Sequence, residues 1–283
     1  MSERAAAVSV IVPAHNEGAG IRRLLGELTT ARDGREVEVV VACNGCTDDT
    51  AEVARSLAGV AVIEIVDASK RLALEAGDAV TRHPRRAYVD ADVLVSRHDL
   101  LAVVDAVGAG ILAAGPERRL ALEKAGLAVR WYYDVWQGLP AVRAGLFGRG
   151  MIVLSAGGHD RIRRLPSVMS DDLAISEAFT PAERVIVPGT TVVIEGPRTL
   201  RDLVRRRIRI ATGNSQLDQL GLRSSSARTS GRDLLAIAGA SPVLAAKVAL
   251  VLAVTAAGRF LARRRIRRGD FTTWLRDESS RRE

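Results

Sequence analysis

The sequence predicts an α/β protein: a doubly wound, mostly parallel sheet flanked by helices, with a helical appendage at its C-terminal end. Three observations carry this. Short β-branched runs alternate with helix-patterned stretches over the first hundred residues. Polar and charged residues follow each of the first four runs, where open parallel sheets collect their ligands. A long apolar stretch from Leu234 to Leu261 then precedes the arginine-rich "RRRIRR" of 263–268.

The elements follow in order. "VSVIVPA" (8–14) is a short apolar run ending beside a proline, as suits a buried parallel strand. It reads as a first strand and not as a signal peptide, because no cleavage pattern follows the apolar residues. "IRRLLGEL" places apolar residues at helical spacing. "EVEVVVAC" (36–43) predicts a second strand, and "TDDTAEVARSLAG" a helix capped by Thr47 and stopped at Gly59. "VAVIEIV" (60–66), "LALEAGDAV" and "RAYVDADV" (86–93) predict a third strand, a helix and a fourth strand. After the four strands come "PAHNE", "NGCTDDT", Asp67 with Ser69, Lys70 and Arg71, and "DAD". Polar groups at all four places point to one site.

With 283 residues and 47% hydrophobic content, the chain can bury a full core. Its net charge of +8 suits an anionic partner, although the excess is mostly arginine and lysine appears only at 70, 124 and 247. The sole cysteines, Cys43 and Cys46, form C-x-x-C within "VVVACNGCTDDT". Zinc needs about four ligands, and no second Cys or His pair is spaced to complete the set. A full alternative motif occupies the same loop. Gly45 permits the turn, Asp48 and Asp49 favour a helix start, and Asn44 offers an amide that can read a base edge. The cysteines therefore read as small fillers in a reducing, cytoplasmic setting.

Taken in order, these stretches resemble family 2 glycosyltransferases of the GT-A, Rossmann-like fold. "VSVIVPAHNE" is similar to the family's opening strand and loop. "CNGCTDDTAEVA" is similar to its Asp-Gly-Ser-Thr-Asp-x-Thr turn, with Asn44 for the first Asp. "SKRLALEAG" resembles its Gly-Lys-x-x-Ala-Leu-Asn-x-Gly stretch, and "DADV" its Asp-x-Asp element. "GRGMIVLSAGGHDRI" (148–162) continues the match, "MSDDLAIS" (169–176) resembles the acceptor-side acidic motif, and "RRRIRIATGN" (205–214) is a diverged Gln-x-x-Arg-Trp element.

The resemblance implies an inverting transfer of a sugar from a nucleoside-diphosphate sugar to a hydroxyl acceptor, glycan or lipid-linked. Asp92 and Asp90 would hold Mg²⁺ or Mn²⁺, a hard cation suited to carboxylates. Asp172 would act as general base with Asp171 beside it. Pro13, Ala14, Asn16, Glu17, Asn44, Asp67, Lys70 and Asp90 would bind the donor, with Arg206 and Arg209 clamping its diphosphate. UDP is the family's commonest donor nucleotide, and Asn44 in place of the base-reading Asp leaves GDP and dTDP open. His159 receives no role. Trp131, Tyr132, Tyr133 and Trp136 suit a buried helix face. A nucleotidyltransferase and a nucleotide-sugar scaffold without turnover are the alternatives. A basic phosphate loop after the first strand, absent here, would mark the former.

The composition divides the chain into residues 1–222, a linker at 223–232 and a helical, basic segment at 233–283. Pro242, Lys247 and Arg259 interrupt the apolar run, so an interfacial helix anchored by Arg263–Arg268 to an anionic membrane surface suits it better than a span. A packed or dimerising helix is the alternative. The expected location is the cytoplasm, peripheral to the inner face of the plasma membrane. Nucleic acid is not an expected partner, since no recognition motif accompanies the basic tail.

Overall fold

A computed structural model of the chain describes residues 7–30 and 34–267. The elements run β1 (Val8–Ala14), α1 (Gly18–Thr29), β2 (Val37–Asn44), α2 (Thr50–Arg55), β3 (Val60–Ile65), α3 (Lys70–Val80), β4 (Arg86–Val89) and β5 (Val93–Val95). Next come α4 (Arg97–Asp105), β6 (Ala113–Ala121), α5 (Leu127–Gly138), α6 (Pro140–Ala144), β7 (Met151–Leu154) and α7 (Ala156–Ile162). The chain then forms α8 (Asp171–Glu177), β8 (Arg184–Glu195), α9 (Leu200–Gln219), α10 (Gly231–Gly239) and α11 (Pro242–Ile266). Two compact units result. The first holds the residues up to Leu120 with Gly148–Leu165 and Phe179–Ile194; the second holds Ala121–Phe147, Pro166–Ala178 and the residues from Glu195 onward.

The sheet has eight strands in the order β3-β2-β1-β4-β7-β6-β8-β5. β1 pairs in parallel with β2 on one side and β4 on the other, and β2 pairs in parallel with β3. β1 is buried along its whole length, which is why its sequence is a nearly unbroken apolar run. α1 covers the sheet with Ile21, Leu24, Leu25 and Leu28, all fully buried at helical spacing. Each such side chain contributes about 2 kcal/mol by leaving water. The chain leaves β1 toward β2 and β3 and returns to β4 on the opposite side. The crevice beyond β1 and β4 is thus the sheet's switch point, where such folds bind ligands. The expected fold class is the one observed.

Several details differ from expectation. The fourth strand stops at Val89: Asp90 still donates its backbone N–H to Gly150 O at 2.8 Å, but a turn at 91–92 follows and β5 pairs with β8 instead. β7 runs antiparallel to both β4 and β6, so the sheet beyond β4 is antiparallel. The second helix is also shorter than expected, starting at Thr50 and ending at Arg55. Thr47 does not cap it: its backbone N–H bonds instead to Asn16 Oδ1 at 2.7 Å.

In the second unit α11 packs on α9 and α5 through Val248, Val251, Val254, Gly258 and Ala262. Gly258 lets the helices approach: a Cβ there would stand 2.9 Å from Arg207 Cβ. Lys247 Nζ meets Asp134 Oδ2 at 2.6 Å. Tyr132 and Tyr133 are buried, with rings edge-on at 5.3 Å, which is the buried-face reading of the aromatic cluster. Pro242 opens α11 at a helix start, where its missing N–H costs nothing. Between α9 and α10, Asp218 pairs with Arg223 and Arg228, and Ser230 with Asp233 forms a reciprocal cap on α10. Arg268, the last residue of the expected anchor, lies outside the described residues.

Candidate active site

The tips of β1 and β2 are stitched to each other before any ligand is considered. Asn44, 5% exposed, donates Nδ2 to Ala14 O at 2.8 Å, so its amide donor is engaged within the fold. His15 Nδ1 donates to Asn44 O. Asn16 takes a left-handed backbone (φ 53°), which asparagine tolerates better than most residues, and donates Nδ2 to Thr47 Oγ1 at 3.1 Å. Glu17 N donates to Thr50 Oγ1 at 2.8 Å and Gly18 N to Asp48 Oδ2 at 3.2 Å. Partial burial raises the pKa of Asp48, but hydrogen bonds from Thr50 and Gly18 outweigh it and hold the carboxyl below its ordinary value.

Gly45 is needed in this loop twice over. Its φ is +57°, and a Cβ would stand 3.0 Å from Ala68 N and Cβ. Cys43 is buried in the core, and burial, then the neighbouring Cys46, pushes its thiol up to about 12. So high a pKa withholds the thiolate that redox or metal chemistry needs. Both cysteines are free thiols, Cys43 in the core and Cys46 half-buried.

At the end of β4, Ala91 is 5% exposed while Asp90 and Asp92 turn outward on either side of it. Asp90 directly follows β4, and Asp92 lies in the turn that leads into β5, so two carboxylates stand two residues apart beyond the strand's end. Lys70, the first residue of α3, reaches Asp90 Oδ1 with Nζ at 2.9 Å. These side chains are 31% and 40% exposed, so the pair contributes little to stability, at most about 1 kcal/mol. Ser69 caps α3 by accepting from Leu72 N, and Arg71 turns away to Glu75. Asp67 is exposed, and its carbonyl accepts from Ser69 N. Among the described residues no group of three His, Cys, Asp or Glu gathers as a complete ligand set. Two carboxylates still fit Mg²⁺ or Mn²⁺, since such ions take one or two protein carboxylates and complete their shell with substrate phosphates and water.

In the second unit Asp171 and Asp172 form the first turn of α8, where carboxylates are favoured by the helix dipole. Asp172 Oδ1 accepts from Leu173 N at 2.8 Å. Ser170 precedes them without a side-chain cap and sits against α9: a Cβ on Gly213 would stand 2.1 Å from Ser170 Oγ. Gln216, nearly one turn on, accepts from Met169 N at 2.9 Å. Arg206, Arg209, Gly213 and Gln216 recur at spacings of three and four, so the arginines share the helix face on which the 167–170 loop rests. Arg207 does not belong to it; its guanidinium lies over the Tyr132 ring at 5.9 Å. Gly213 and Gln216 were missed in the sequence, although a glycine inside a long helical pattern is a signal of close approach.

Residues 9–126 match the glycosyl transferase family 2 model. That stretch is similar to family 2 glycosyltransferases over its whole matched length. Over 99 residues it is 37% identical to the 4,4'-diaponeurosporenoate glycosyltransferase of Staphylococcus aureus, a match covering 33% of this chain and 26% of that protein. The match thus spans about a quarter of the length of these relatives. The fold is that of a Pyrobaculum calidifontis mannosyltransferase solved with GDP-Man and Mn²⁺ (TM-score 0.60, 24% identity, covering 93% of this chain and 79% of that one). It is also that of Mycobacterium tuberculosis glucosyl-3-phosphoglycerate synthase, solved with Mn²⁺, UDP and glucosyl-3-phosphoglycerate (TM-score 0.54, 22% identity, 78% and 82% covered). These are GT-A glycosyltransferases.

In the first unit, α3, β4 and α7 also share a buried polar hub. Asp78 of α3 accepts from Arg86 Nε at 3.1 Å and Tyr88 Oη at 2.7 Å, both on β4, and lies 3.1 Å from His159 Nε2 on α7. Burial, then Asp78, pushes the Tyr88 hydroxyl pKa up, so it remains a donor. His159, given no chemical role from sequence, is a structural partner here. α3 is thereby tied to β4 twice, by Lys70–Asp90 near its start and by Asp78 near its end. Asp78→Ala strands a buried guanidinium and is expected to cost about 3 kcal/mol of stability, read as a lower denaturant midpoint at unchanged m-value.

Proposed function

We propose that the chain transfers a sugar, with inversion, from a nucleoside-diphosphate sugar to a hydroxyl on a glycan or lipid-linked acceptor. The observation that carries this is the carboxylate pair Asp90 and Asp92, set beside Lys70 at the switch point of the parallel sheet. The family match and the nucleotide complexes of the structural neighbours support the reading.

The roles follow from residue chemistry. Asp92 and Asp90 hold a divalent cation, which supplies Lewis-acid neutralisation of the departing diphosphate when bound. Pro13, Ala14, Asn16, Glu17 and Asp67 border the nucleoside, and Asn44 keeps the tips of β1 and β2 in place around it. Lys70 exchanges part of its attraction for Asp90 for the donor's phosphate oxygens. Arg206 and Arg209 add guanidinium donors that match phosphate geometry. Asp172 takes the proton of the acceptor hydroxyl as it attacks, and Asp171 orients its neighbour. One base with no acid partner suits a leaving group that departs already stabilised, and in-line attack inverts the anomeric carbon. UDP is the donor nucleotide proposed, and the cytoplasmic face of a membrane the place of reaction.

Thermal unfolding tests the donor site. A panel of UDP-, GDP- and dTDP-sugars is expected to yield at least one that raises the midpoint with Mn²⁺ and loses the effect with a chelator. Indifference to every donor with metal present would sink the reading.

A further inference from the structure

α11 is apolar all round, with a mean hydropathy of 1.8 over its most apolar 18-residue window, yet only 22% of that window is buried. A helix of this kind belongs in a protein core or in lipid. Its buried stripe rests on α9 and α5 from Val248 to Ala262. The face away from that stripe exposes Leu252 at 52% and Phe260 at 57%, and Leu235 of the adjoining α10 is 73% exposed. The apolar part from Val243 to Leu261 runs roughly 27 Å. It passes into Arg259, Arg263, Arg264 and Arg267, all exposed, with the Arg264 guanidinium over the Phe260 ring at 4.8 Å.

We infer that the outer face of α10 and α11 docks in the plane of an anionic lipid bilayer. Leu235, Leu252 and Phe260 enter the boundary between headgroups and acyl chains, and the arginines meet lipid phosphates. Three observations select this occupant. α11 is long and apolar enough to cross a bilayer, but its other face is committed to α9 and α5, and Lys247 to Asp134, so lipid cannot surround it. Its residues include no Asp or Glu, so a second copy of the face brings no counter-charge to the arginines, whereas anionic headgroups do. Apolar side chains beside a basic end are the composition of an interfacial helix. The inference goes beyond the glycosyl-transfer reading and does not depend on it.

Co-sedimentation of the full chain tests it, with vesicles of phosphatidylcholine alone or mixed with phosphatidylglycerol. The chain is expected to bind the mixed vesicles more tightly. Leu252→Glu with Phe260→Glu should weaken that binding at least about tenfold. Arg263→Glu with Arg264→Glu should do the same and remove the preference for phosphatidylglycerol. All four side chains are exposed, so circular dichroism and unfolding midpoints should stay near those of the wild type. Trypsin added outside sealed vesicles should cut at both Arg232 and Arg263–Arg267 as readily as after detergent. Protection of one flank until detergent is added means a spanning helix and overturns the in-plane placement. Unchanged binding by the folded glutamate variants overturns the surface. So does a lipid-free chain that self-associates through residues 252 and 260 and ignores vesicles.

Discussion

Asp172→Asn is expected to slow sugar transfer by about 10²- to 10⁴-fold while leaving donor affinity within a small factor of the wild type. The side chain keeps its size, and an amide oxygen can still accept from Leu173 N, so the first turn of α8 has no reason to move. What is lost is the capacity to take a proton. An acceptor alcohol left without a base is a poor nucleophile, and that deficit appears in the chemical step. Single-turnover rates at saturating donor measure it directly, and calorimetric titration of the donor supplies the control. Asp171→Asn should have a smaller effect, since that residue is proposed to orient and not to deprotonate. A wild-type rate in Asp172→Asn moves the base elsewhere.

Asp92→Ala should abolish metal-dependent donor stabilisation and lower transfer by about a hundredfold or more, the scale of several kcal/mol of Lewis-acid stabilisation. Removing Asp90 instead would also break its ion pair with Lys70, and the two effects would be mixed. Asp92 is exposed at its turn, so alanine there should leave the fold unchanged. The measurement compares unfolding midpoints with donor, with donor and Mn²⁺, and with donor and chelator. Wild type should respond to the metal and the variant should not. A variant that keeps the full metal-dependent shift excludes Asp92 as a ligand.

The first three strands were legible because each is a short run rich in β-branched residues, buried in β1 and most of β2 and half-exposed in the edge strand β3. The fourth misled for a physical reason. Val89, Ala91 and Val93 alternate with polar residues and are all buried, as in a continuous strand. The break is made by the turn at 91–92 and by β8, a pairing partner far along the chain that no local pattern announces. The start of α2 was misplaced likewise, since Thr47 was already engaged by Asn16 across the loop. In the candidate site, residue types and strand-end positions could be read directly. Which arginine of 205–209 points where could not, because Arg207 is claimed by Tyr132 and by the close approach of Gly258. Gly213 matters only through Ser170, a neighbour more than forty residues away that sequence periodicity cannot supply.

α9 serves two masters. One flank of this 20-residue rod carries Arg206, Arg209 and the cradle for the 167–170 loop; another is walled by α11 at Gly258. Trimming the chain before Gly231 to gain solubility would bare that second flank to water, Ile208 and Thr212 with the rest. Kinetics measured on such a shortened chain would describe a helix with one support gone, and an arginine geometry loosened from a distance.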